Sequence, residues 1–151
     1  MTTMTMQGAI PGGCAGTVLS LVERARESLA EACATPEPEL RYEAAHLGAL
    51  RAAAAVVAAR SVPGERGRPR SVWELLVGVA PELQEWAVFF ADSARRRSAL
   101  AGGQRCSQRE ADDLVRQVEE FEATVRRVVG LPVLPPATAM LVGAGVVGGR
   151  G

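Results

Sequence analysis

SQREADDLVRQVEEFEATVRRVVG, residues 107–130, carries the plainest helical signature of the chain. Ala111, Leu114, Val115, Val118, Phe121, Val125, Val128 and Val129 return every three to four positions, with charged residues between them. Ser107 followed by Glu110 has the spacing of a capping box, in which each side chain satisfies the other's unpaired amide, and Gly130 supplies the stop. An amphipathic helix over about 108–129 is therefore predicted.

The same period extends toward the N-terminus. Residues 17–34 place Val18, Leu21, Val22, Ala25, Leu29, Ala32 and Cys33 at helical spacing after a Thr17 cap, and TPEP at 35–38 breaks the run and opens the next. The second helix, about 38–60, is read with an apolar stripe of Leu40, Leu47, Leu50, Ala54 and Val57. Ser71 and Glu74 form a second capping box ahead of a short helix carrying Val72, Leu75, Leu76 and Val79, which Pro81 should break. A fourth long helix, about 82–100, holds Leu83, Trp86, Ala87, Phe89 and Phe90, read as core, and ends near Gly102 and Gly103. No convincing strand alternation or internal repeat occurs, so the expected architecture is an all-α antiparallel bundle of four long helices and one short one, spanning 17–130. Residues 1–16 are expected to be a flexible leader and 131–151 a flexible apolar tail rich in Pro and Gly.

The chain has 151 residues and 15.8 kDa, room for one domain, and its 48% hydrophobic and 23% charged fractions argue against disorder. Seventeen arginines balance 17 acids and there is no Lys, so net charge alone calls for no nucleic acid or membrane partner. The distribution is uneven: residues 60–109 hold nine Arg against five acids, whereas 110–130 hold six acids against three Arg. Cys14, Cys33 and Cys106 include no pair at metal-ligand spacing and there is a single histidine, so neither a zinc site within one chain nor a cofactor is expected. The N-terminus lacks a basic, apolar signal pattern, and the C-terminal apolar run is far shorter than the ~20 residues of a membrane span. A cytoplasmic protein with no membrane association is the expectation.

Chemistry-bearing patterns are few. There is no GxSxG nucleophile turn and no phosphate loop in a strand–helix setting. Glu43-Ala-Ala-His46 is one copy of a di-iron half-motif that needs two. Arg41-Tyr-Glu-Ala-Ala-His46 has the spacing of a metal-independent ribonuclease pair, with His46 as general acid or base and Arg41 holding phosphate charge. Five helical residues turn the wheel by about 140°, so the two side chains do not converge within one protomer and would need a dimer to meet. His46 bordering the core, with Arg41 in solvent, is the structural alternative. Arg95, Arg96 and Arg97, together with Arg66, Arg68 and Arg70 of the 61–70 loop, are candidate phosphate contacts; a solvated helix end is the plainer reading.

RYEAAHLGALRAAAAVVAAR (41–60), PRSVWELLVGVAPELQEWAVFFA (69–91) and READDLVRQVEEF (109–121), in that order, resemble a small actinobacterial family of HEPN-domain proteins (higher eukaryotes and prokaryotes nucleotide-binding). The resemblance covers about residues 17–130. It implies two helical hairpins, often dimeric, acting as ribonucleases or as non-catalytic RNA- or nucleotide-binding modules. Active members carry R-x(4–6)-H near the start of a later helix. The corresponding region here, ADSARRRSALAGGQRC (91–106), has arginines and no histidine. The expectation is a non-catalytic RNA- or nucleotide-binding or regulatory module, with a homodimer, RNA and a protein partner all open. The alternatives are a ribonuclease using Arg41 and His46 across a dimer, or a protein–protein adaptor.

Overall fold

The computed structural model describes residues 12–61 and 70–137. Five helices follow one another: α1 (Gly12–Ala34), α2 (Pro38–Arg60), α3 (Val72–Val79), α4 (Gln84–Ala101) and α5 (Gln108–Val128), with a 3-10 turn at Pro81–Leu83 between α3 and α4. No strand occurs among the described residues. Each expected helix is present, and the break falls at Pro81.

Local signals set the helix ends. Ser71 Oγ accepts from the Glu74 amide at 3.2 Å and Ser107 Oγ from the Glu110 amide at 3.0 Å. The Glu110 carboxylate does not reach back to complete its box; Arg96 of α4 takes it instead. At the far end of α5, Gly130 adopts φ +80°, and the Leu131 and Gly130 amides donate to the Arg126 and Arg127 carbonyls at 2.7 and 3.2 Å. That is the Schellman arrangement, which favours glycine at this position.

Helix α2 is the axis of the bundle and touches all four of the others. It runs antiparallel to α1 and parallel to α5, since Arg41 meets Asp112 and Gly48 lies against Val118. Its buried face is not the predicted leucine stripe. Tyr42, Ala45, His46, Ala49, Ala52, Ala53, Ala55 and Val56 are buried, Leu47, Leu50, Ala54 and Val57 only half-buried, and Leu40 is 53% exposed. Apolar residues surround this helix, so periodicity selects no unique face. A rod enclosed by four neighbours favours small side chains, which let the backbones approach.

The core is aromatic on the α3–α4–α5 side. Trp73 stacks on Phe90 at 5.2 Å, and Phe121 lies 5.0 Å from Phe90 and 5.3 Å from Trp86. Phe90, Phe121, Leu29 and Leu76 are fully buried, each contributing on the order of 1.5–3 kcal/mol.

Two boundary expectations need correction. Helix α1 starts at Gly12 and passes through Thr17, which is therefore not its cap, so the expected leader is shortened to residues that lie outside those described. The tail does not leave the bundle at residue 131. Arg126 donates to the Pro132 carbonyl at 3.3 Å, Arg26 of α1 donates to the Pro135 carbonyl, and Ala137 is 6% exposed. Two arginines thus bind backbone carbonyls of Leu131–Ala137 that could not pair within a proline-rich segment.

Candidate functional site

Arg41 sits in the first turn of α2, just after Pro38. Its Nε donates to the carbonyls of Ala32 and Thr35, both at 3.0 Å, Nη2 to Cys33 at 3.4 Å, and Nη1 to the Asp112 carboxylate. The guanidinium therefore closes the C-terminal end of α1, whose last carbonyls have no intrahelical partner, and ties it to α5.

His46 faces the opposite flank. It is 1% exposed, its ring is edge-on to Trp73 at 6.0 Å, and Nδ1 is hydrogen-bonded to Ser93 Oγ of α4 at 2.9 Å. The Tyr42 side chain is buried near the same serine, so α2 and α4 share a buried polar contact centred on Ser93 and His46. Burial, and secondarily the positive charge of Arg97, push the His46 imidazole down to about 4. The ring is neutral at neutral pH and sealed from solvent, whereas a general acid or base must reach the proton it moves. Arg41 and His46 thus hold separate interfaces of α2 and are not brought together within the chain. The two described thiols are not activated as nucleophiles: burial raises Cys33, and raises Cys106 to about 11, with Glu110 adding to the latter. Among the described residues no three His, Cys, Asp or Glu side chains cluster as metal ligands.

Of the arginines singled out for phosphate, Arg66 and Arg68 lie outside the described residues, and Arg70 is exposed just ahead of the Ser71 cap. Arg95 pairs with Asp92 at 3.3 Å on the surface. Arg96 is a structural clasp: it holds Glu110 at 2.6 and 2.9 Å and also donates to Gln104 and to the Arg105 carbonyl. That hydrogen bonding lowers the Glu110 carboxyl and raises Arg96. Arg97 is half-buried beside His46 and makes no ion pair with the described residues.

The tertiary structure adds groups that sequence reasoning missed. Arg105 is exposed in the α4–α5 connection, 3.8 Å from Glu39, and Arg109 stands in the first turn of α5 with no ion pair among the described residues. With Arg95, Arg96 and Arg97 they place five arginines on this joint, and no acid occurs from Ser93 to Arg109. That acid-free run was the legible signal. Beside it, α4 and α5 leave an open groove of about 540 Å³, lined by Tyr42, Phe89, Arg109, Asp113, Leu114 and Gln117 among others. Phe89, expected in the core, is instead 42% exposed.

The described residues form an all-α bundle in which no helix is long and apolar enough to cross a membrane. The model of the SAV_6107-like HEPN family matches residues 32–126, from the last turn of α1 to nearly the end of α5, and the chain belongs to that family. No curated protein and no solved structure matches it.

Proposed function

We propose that this chain is a non-catalytic HEPN module that binds RNA at the α4–α5 joint. The observation that carries the reading is the run from Ser93 to Arg109, five arginines without an acid, spanning the end of α4, its connection and the first turn of α5. Arg96 is spent on Glu110, and Arg95 is partnered by Asp92. Arg109, with no ion pair among the described residues, and Arg105, 90% exposed and only loosely paired with Glu39 at 3.8 Å, are the groups offered to phosphates, and guanidinium suits phosphate through its bidentate geometry. The neutral, solvent-sealed His46 favours binding over acid–base cleavage.

Fluorescence anisotropy of the full chain with a labelled RNA, titrated across salt concentrations, tests this. Affinity should fall as salt rises, and Arg105→Ala with Arg109→Ala should reduce the slope of log K against log salt by about 1 per lost phosphate contact. Absence of binding at ~50 mM salt would remove the RNA reading and favour a protein-docking role. Cleavage that resists EDTA and disappears in both His46→Ala and Arg41→Ala would replace it with the ribonuclease reading.

A further inference from the structure

The groove beside the joint bears on what form of RNA is bound. We infer that it accepts one unpaired nucleobase, stacked on Phe89 and read at its edge by Gln117, so that the module selects single-stranded over duplex RNA; this rests on the RNA reading above. Helices α4 and α5 meet at two places, Trp86 and Phe90 against Phe121 and Arg96 against Glu110. Between them the groove of about 540 Å³ opens, within the range of small-molecule sites.

Its lining has the parts that a base needs. Phe89 keeps 42% of its surface in water although the neighbouring Phe90 is fully buried. Its ring is set edge-on to Phe90 at 5.0 Å and 80°, so a stacking partner meets a preoriented platform. Leu114, 3% exposed, adds an apolar wall. Gln117 is half-buried, lines the same groove and makes no hydrogen bond with the described residues, leaving both a donor and an acceptor for a base edge.

Charge fits as well. The two carboxylates on the rim are neutralised, Glu110 by Arg96 and Asp113 by Arg116. Arg109 remains as the unpaired cation at the mouth, where the phosphate of an inserted nucleotide would lie. A paired base has neither an exposed face nor an accessible Watson–Crick edge, so a duplex cannot use this groove.

The test compares a short mixed-sequence single-stranded RNA with a hairpin duplex of equal charge, using the full chain at ~50 mM salt. Single-strand affinity should be about tenfold higher. Phe89→Ala should abolish that preference while leaving the salt slope unchanged, and Phe89→Tyr should restore it. Gln117→Leu should alter which base is preferred without changing the slope. Equal affinity for the two forms, or a preference that survives Phe89→Ala and Gln117→Leu, overturns the base slot and leaves RNA binding at the joint standing. Failure of both RNAs to bind overturns both.

Discussion

Arg96 of α4 and Glu110 of α5 are joined by two hydrogen bonds, Nε to Oε2 at 2.6 Å and Nη2 to Oε1 at 2.9 Å. This bidentate pair spans one end of the α4–α5 groove and diverts both residues from roles their positions suggest: Glu110 from its capping box, Arg96 from phosphate contact. Arg96→Lys keeps the charge but loses the planar fork. It is expected to lower the thermal midpoint while leaving the salt slope of RNA binding as in the parent. A slope reduced as far as in Arg105→Ala would show that Arg96 contacts phosphate after all.

The chain has one histidine, so its titration is read without ambiguity. In the unfolded chain His46 takes a proton near 6.5; in the folded protein it does so near 4. Between those values the unfolded state binds more protons, so stability falls as pH drops through this window. At about 1.4 kcal/mol per pH unit the loss reaches about 3 kcal/mol. Urea unfolding across the window should show that decline, and the imidazole NMR signal should not move around its ordinary 6.5. An imidazole titrating near that value in the folded protein would contradict its sealed position.

Glu122 is 3% exposed and lies between Arg126, one turn along α5, and Arg26 of α1 at 3.8 Å. The same two arginines hold the Pro132 and Pro135 carbonyls. Glu122→Gln leaves buried positive charge uncompensated, and a loss of about 3 kcal/mol is expected in denaturant unfolding. Proteolysis of the native protein should cut after residue 131 sooner in the variant. An unchanged cleavage pattern would show that the segment is held by other contacts.

Both carboxylate oxygens of Glu119 are shielded from water and have no hydrogen-bond partner. Glu119→Met removes the orphaned polar group at similar length. Stability should rise by about 1–3 kcal/mol. A lower urea midpoint would show instead that nearby charge compensates the carboxylate.

A Cβ placed on Gly48 would lie 3.4 Å from the Ala25 carbonyl, Ser28 Cβ and Val118 Cγ1, where α1, α2 and α5 come together. Alanine fits at the limit of contact and gains helix propensity of about 1 kcal/mol, so Gly48→Ala should lie within about 1 kcal/mol of the parent. Gly48→Leu has no space and should lose about 3 kcal/mol or more. Thermal melts of the two variants separate these outcomes.

Helix positions were legible because they depend on neighbours in the chain. The three-to-four spacing of apolar side chains, the Ser71 and Ser107 caps, the Pro81 break and the Gly130 stop are short-range effects, and each appears in the structure where the letters place it. The angular separation of Arg41 and His46 followed from helical geometry alone. What each residue faces was not written locally. Helix α2 is apolar around its circumference, so only the arrangement of the other four helices decided that its alanines and His46 turn inward while Leu40 stays in water. The divergence of α4 from α5 left Phe89 exposed, and the meeting of Arg96 with Glu110 needed the chain to reverse at Gly102 and Gly103. Burial is a property of whichever surfaces meet, and that depends on packing between segments remote in sequence.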